Sequence, residues 1–273
     1  MIIPKSLPSD GNCHWAILTP PTIEPITVDE LKLFARIDGD DEDSLLSTFI
    51  KAVREGAERY LGRALIRQTI TMKMDFWPGD VIELPRPPLI SITQVATIDE
   101  DDAETVYSSD YYYIITEATP GLLCIRQGFS YPINTDRDHG GYKIDWLAGY
   151  GLTDLYGSLS DCTSNGTTTI TKTGHGLTPS EGDIVDITDC TTTADKGLYR
   201  VVSYTDNTIV VDRALSGSDT DVDLTIYQST LVPQTINDGV KLWAASMYEN
   251  RVITPTPPPE AKLLLDVYRV PEI

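Results

Sequence analysis

The chain has no apolar run near the roughly 18 residues that a membrane span requires. Its opening residues, MIIPKSLPSDGNCHW, hold no hydrophobic secretion core, so cytosolic synthesis is expected. Histidine is scarce: His14, His139 and His175 are the only three, and none stands near a Cys or a second His at metal-ligand spacing. The four cysteines, Cys13, Cys124, Cys162 and Cys190, form no CxxC and read as free buried thiols. Cys162 with Cys190 is the one pair worth checking for a disulfide. GxSxG, HExxH, Walker A and GxGxxG are all missing. No catalytic, cofactor-binding or metal-binding residue is therefore assigned, no cofactor is expected, and the chain does not read as an enzyme.

Basic residues are also few. Lys and Arg number 21 against 41 Asp and Glu, a net charge of −20. A nucleic-acid clamp needs a basic footprint, which this balance excludes. Acidity of this size suits solubility and repulsion from nucleic acid. The run Asp38–Asp43 is not a calcium loop. An EF-hand needs Gly at its sixth position and Glu at its twelfth, and those positions hold Asp43 and Phe49.

What the chain does have is a strong helical stripe over 41–61. Leu45, Leu46, Phe49, Ile50, Val53, Ala57, Tyr60 and Leu61 fall on one side of a 3.6-residue helix. Lys51, Arg54, Glu55, Glu58 and Arg59 are expected on the other. Acidic residues open the helix and Gly62 caps it. Before it, Thr27 and Glu30 spell a capping box for a short helix over about 27–36. A second stripe, Ile236, Val240, Trp243, Ala244, Met247 and Tyr248, predicts a helix over 233–250. A proline-rich spacer and a last helix over about 259–267 follow. Leu45, Phe49, Val53, Tyr60, Val240, Trp243 and Met247 are the expected core where the two long helices meet.

Between the long helices the period changes to two. Strands are expected over 66–75, 81–84, 90–98, 111–115, 122–126 and 142–147, a mostly antiparallel sheet. Residues 157–228 change composition to Thr, Asp, Ser and Gly, with 11 acidic and four basic residues. Short strands at regular spacing there predict a barrel or sandwich. The expected class is α+β: a helical core, an antiparallel sheet region and an inserted all-β module. The expected division is an extended arm at 1–26, a core at 27–156 plus 229–267, the insert at 157–228 and a tail at 268–273. Trp15 and Ile17 are unusual in a disordered arm and point to docking on another surface.

The stretch EPITVDELKLFARIDGDDEDSLLSTFIKAVREGAERYLGRALIRQTITMKMDFWP, then IELPRPPLISITQVATID and WLAGYG, resembles the tailed-phage head–tail connector family, also called adaptor or head-completion proteins. VPQTINDGVKLWAASMYENR resembles that family's C-terminal helix. Residues 157–228 depart from the family pattern and are similar to small β modules inserted in phage virion proteins. The resemblance implies a structural virion protein at the head–tail interface, made in the host cytoplasm. It implies a homo-oligomeric ring, usually of twelve copies, under the portal protein and meeting a tail, stopper or terminator protein. Genomic DNA would pass through its channel without sequence-specific binding, and no membrane is involved. Trp15, Ile17, Tyr268, Arg269, Val270 and Pro271 are the candidate surface for the portal or a neighbouring copy. The alternative left open is a virion binding module whose β insert contacts tail or capsid proteins or a host glycan.

Overall fold

The computed structural model describes residues 13–133, 137–230 and 232–270. The chain is a mixed helix-and-sheet protein with antiparallel pairing throughout its ladders. Among the described residues there are four α-helices: α1 (Val28–Ala35), α2 (Asp43–Leu61), α3 (Gln234–Asn250) and α4 (Pro259–Leu265). They build one of three hydrophobic clusters, and the other two are formed by strands, so the helices are not the frame of the whole molecule.

The helix ends follow from local chemistry. The Thr27 hydroxyl accepts from the Glu30 amide at 3.1 Å, and the Glu30 carboxylate accepts from the Thr27 amide at 2.9 Å. These bonds satisfy two of the donors that a helix start leaves open. Gly62 ends α2 in the left-handed region at φ 66°, where a Cβ would be strained. Phe49, Val53, Val240, Trp243 and Met247 are buried in the helical cluster, and Leu45 and Tyr60 pack against it half-buried. Gly56 lets α3 approach α2 closely, since a Cβ there would stand 2.8 Å from the Trp243 ring.

One expectation about α2 is corrected. Arg54 and Glu58 are not on a solvated face; both side chains are only 4% exposed. The buried side of α2 is wider than its apolar stripe because these two charges neutralise each other beneath the arm. Arg54 bonds Glu24 at 2.7 Å and Glu58 at 3.1 Å. Glu58 also accepts from the Leu65 amide and the Gln68 side chain.

A five-stranded sheet runs in the order β1 (Cys13–Thr19), β2 (Gln68–Met74), β8 (Tyr142–Ala148), β4 (Leu89–Ile98), β5 (Glu104–Val106). A second sheet has three strands, β3 (Val81–Leu84), β7 (Gly121–Ile125) and β6 (Tyr112–Ile115). Together they enclose the second cluster around Trp146, Ile144, Met72 and Ile70. The alternation expected from 66 begins at Gln68, whose burial pattern repeats every second residue through Met74. Tyr111 closes a single 3-10 turn instead of opening β6.

The arm holds a surprise. From Cys13 it is a regular strand, paired with β2 so that Trp15 lies opposite Met72 and Ile17 opposite Ile70. Residues 1–12 of the arm lie outside the described residues.

Six strands close a barrel: β9 (Leu152–Ser164), β10 (Thr169–Thr171), β11 (Ile184–Asp189), β12 (Gly197–Tyr204), β13 (Thr208–Val211) and β14 (Val222–Thr230). Its strands run past 157–228 at both ends. β9 is 13 residues long and pairs along β14 as far as Leu152 with Thr230. The barrel has its own core, in which Cys162 and Cys190 are both buried. All four cysteines are free. Burial raises the Cys162 thiol to about 11 and pushes Cys190 up as well, so these thiols are inert.

Candidate connector surfaces

The barrel is tied to the helical cluster along the segment 20–26. The Thr22 hydroxyl donates to the Leu198 carbonyl at 2.9 Å and accepts from the Leu198 amide at 3.0 Å. Arg213 donates to the Thr22 carbonyl and Arg200 to the Glu24 carbonyl. Arg67, just before β2, grips Asp186 of β11 with two nitrogens. Ile184 and Leu198 of the barrel are members of the helical cluster.

Beside this seam is a cleft of about 920 Å³, lined among others by Glu24, Glu30, Asp183, Arg200, Arg213 and Asn237. Its two cations are spent on main-chain carbonyls. Arg200 donates to Gly182 and Glu24, and Arg213 to Thr22 and Leu198. Burial lowers the Arg200 guanidinium below its usual range. The cleft reads as a polar joint between two packed units. Among the described residues no group of three or more His, Cys, Asp or Glu side chains is placed to hold a metal ion. No helix among them is long and apolar enough to cross a membrane.

The surface residues singled out from the sequence fall in two places that one relay connects. Trp15 and Ile17 stand on β1, 40% and 44% exposed. The Arg86 guanidinium lies over the Trp15 ring, 5.0 Å from its centre, a cation–π contact. Arg86 donates to the Arg63 carbonyl, and the Arg63 side chain donates to the Tyr268 carbonyl. The two ends of the described chain are thereby joined through Arg86 and Arg63.

The tail is docked on the end of α2. Val270 donates to the Leu61 carbonyl at 2.8 Å, and the Arg269 guanidinium lies over the Tyr60 ring at 5.1 Å. Tyr268 is half-buried against the helical cluster. Pro271 lies outside the described residues. Residues 268–270 are thus placed within the single chain, because α2 offers them the Leu61 carbonyl and an aromatic face.

Arg63 and Arg86 escaped the sequence reading. Arg86 sits at φ 63°, a conformation that few non-glycine residues adopt. The sequence marks it only as the charged residue inside Pro85-Arg86-Pro87-Pro88. Other exposed apolar side chains include Leu33 and Phe34 on α1, Leu263 and Val267 at the C-terminal helix, and Phe129, Tyr131 and Ile133 beyond β7. The neighbouring tyrosines pack on one another: Tyr111 stacks with Phe129 at 4.7 Å and Tyr107 with Tyr112 at 6.3 Å.

No curated protein matches the chain. Solved structures share its fold. The neck of an empty gene transfer agent (GTA) particle, computed with C6 symmetry, superposes with a TM-score of 0.57 at 16% identity, covering 95% of this chain and 97% of that one. The virion of the native particle gives 0.56 at 16% identity, covering 95% and 96%. The neck of the native particle with C12 symmetry gives 0.52 at 16% identity, covering 95% and 97%. At the level of sequence, the Phage gp6-like head-tail connector protein family matches residues 25–116, which span α1, α2, β2 to β5 and β6.

Proposed function

We propose that the protein is a structural head–tail connector, a ring bound under the portal that extends the DNA channel and offers the tail a docking surface. The match of residues 25–116 to the connector family carries this reading. The shared fold over 95% of the chain with proteins of particle necks supports it. Twelve copies is the number that the family resemblance implies. Its partners are the portal protein on one side and a tail, stopper or terminator protein on the other. Its place is the virion, after synthesis in the host cytoplasm. It needs no catalytic residue or cofactor. A net charge of −20 would keep phosphates off a channel wall, so DNA would pass without sequence-specific binding.

In this reading the helices and the two open sheets form the connector core, and the barrel is a module inserted between β8 and α3. Trp15, Ile17, Tyr268, Arg269 and Val270, with Pro271 beyond them, contribute the surface for the portal or a neighbouring copy. The relay Trp15–Arg86–Arg63–Tyr268 links these two groups, which supports reading them together.

The test is the native mass of the purified chain alone and mixed with portal, followed by negative-stain imaging. A ring seated on portal is the expected result. A monomer that ignores portal overturns the reading. It would favour a virion binding module built on the closed barrel, whose separate core gives it the means to act alone.

A further inference from the structure

We propose that neighbouring copies in the ring join the two edges of the five-stranded sheet, β1 of one copy adding alongside β5 of the next. This inference rests on the ring reading above.

The two edges differ sharply. β1 lies at one end of the sheet and β5 at the other. Every side chain of β1 from His14 to Thr19 is exposed. Among the described residues its outer edge bonds to no other part of the chain. Protected edge strands carry Lys, Pro, inward charges or strong bulges. The segment Cys13–Thr19 has no Lys, Asp, Glu or Pro, and only one irregularity, between Ile17 and Thr19.

The apolar residues of β1 also continue a buried face. Trp15 and Ile17 stand opposite Met72 and Ile70, which are fully buried. The inner face of the sheet therefore runs past its own cover, leaving Ile17 without a lid and Trp15 covered in part by the Arg86 guanidinium. β5 offers the counterpart. It is three exposed residues, and Val106 is 64% exposed.

Charge selects a second copy as the occupant. On a chain of net charge −20, most surfaces repel one another. The β1 edge is different: it carries no carboxylate, exposed Lys73 stands opposite His14, and Arg86 covers Trp15. Asp75 at the end of β2 is taken up by His139 and the Gly140 amide. The turn before β5 is Asp99-Glu100-Asp101-Asp102; Arg137 pairs with Asp102, while Glu100 and Asp101 are exposed and make no ion pair among the described residues. The two edges are thus opposite in charge as well as open.

Direction follows from strand count. Five strands paired antiparallel leave β1 and β5 pointing the same way. A rotation that keeps the sheet upright then brings β5 of one copy parallel to β1 of the next. That contact uses two different edges, so it is heterologous and propagates around a ring. A β1-to-β1 contact would be isologous and would stop at a dimer.

The experiment places one cysteine on each edge of the full chain, Ala16→Cys and Thr105→Cys, in a Cys13→Ser background. Native mass first establishes whether each variant forms the ring. A short bis-maleimide is then added and the product run under denaturing conditions. The expected result is a covalent ladder beyond the dimer in the double variant, with none in either single variant. Covalent dimers from Ala16→Cys alone would overturn the proposal in favour of β1-to-β1 pairing. An intact ring without a ladder would overturn it while leaving the connector reading standing. Absence of any ring from the wild-type chain, with portal present, would overturn both.

A second measurement reads charge. Lys73→Glu should weaken ring assembly at least tenfold with the monomer melting temperature held. Combination with Glu100→Lys and Asp101→Lys should restore it. Assembly indifferent to all three changes counts against the pairing.

Discussion

Arg67 and Asp186 lie 119 positions apart, and two guanidinium nitrogens of one meet both carboxylate oxygens of the other at 2.7 and 2.6 Å. The pair bolts the open sheet to the barrel. Asp186 is 7% exposed, so removing its partner strands a carboxylate. Arg67 is 26% exposed, which moderates the cost. Arg67→Met should lower stability by about 2–3 kcal/mol, below the usual range for a fully buried pair. Arg67→Lys should recover part of this, because a point charge cannot make the forked contact. Urea unfolding at neutral pH measures both. Excision of 157–228 should likewise destabilise the core, since it removes Ile184 and Leu198 from the helical cluster; a melting temperature equal to the full chain's would refute this.

Gly56 and Trp243 set the approach of α2 to α3. Alanine is the better helix former by about 1 kcal/mol. A Cβ at 56, however, would sit 2.8 Å from the Trp243 ring, whose side chain is fully buried and has little room to yield. Overpacking typically costs about 1–3 kcal/mol. Gly56→Ala should therefore destabilise despite its propensity, and Gly56→Ala with Trp243→Phe should lose less than the sum. Trp243→Ala alone should cost about 3–5 kcal/mol. Thermal melts of these three variants and of Trp243→Phe alone decide the sign.

The residues that were legible in the sequence are those whose signal is local. The capping box at Thr27 and Glu30, the glycine at 62 and the stripe from Val240 to Met247 each announce themselves within a few positions. The strand β3 was readable for the same reason, as a short apolar run between turns. What stayed hidden depends on partners far along the chain. Arg54 and Glu58 read as solvated because nothing nearby says that Glu24 lies over one and Gln68 beside the other. β1 reads as an irregular arm because its strand character comes from β2, more than 50 positions away. β9 begins at Leu152, where composition still resembles the preceding turn, and its register with β14 supplies the order. The surface relay through Arg86 was invisible because a lone arginine among prolines carries no periodicity.

Burial raises the Glu58 carboxyl over the opposing pull of Arg54, and raises Glu24 in the same way. A carboxyl with a raised folded value stabilises fully below its unfolded value of 4.5, and that contribution is lost as pH rises through the folded value. Removing the cation should widen this effect. Arg54→Met should cost about 3–5 kcal/mol at neutral pH. The deficit relative to wild type should shrink at acidic pH, because burial favours the protonated form of Glu58. A deficit that is equal at neutral and acidic pH would show that Arg54 acts through packing alone. Arg54→Met with Glu58→Leu should lose less than Arg54→Met, because no uncompensated charge remains beside Leu65.

The docked tail makes a prediction about presentation. Arg63 holds the Tyr268 carbonyl while its own carbonyl accepts from Arg86, so only the first contact depends on its side chain. Arg63→Ala should cost about 1 kcal/mol, the usual net worth of such a bond. Val270 would keep its bond to the Leu61 carbonyl, and Arg269 its place over Tyr60. The variant should therefore melt close to wild type, yet release its C-terminal residues faster under limited proteolysis, read by mass. If Tyr268, Arg269 and Val270 meet the portal or a neighbour, the same variant should bind more weakly in proportion to that loosening. Portal binding unchanged in a chain whose tail is cleaved faster would remove these three residues from the interface and leave β1 as the surface to pursue.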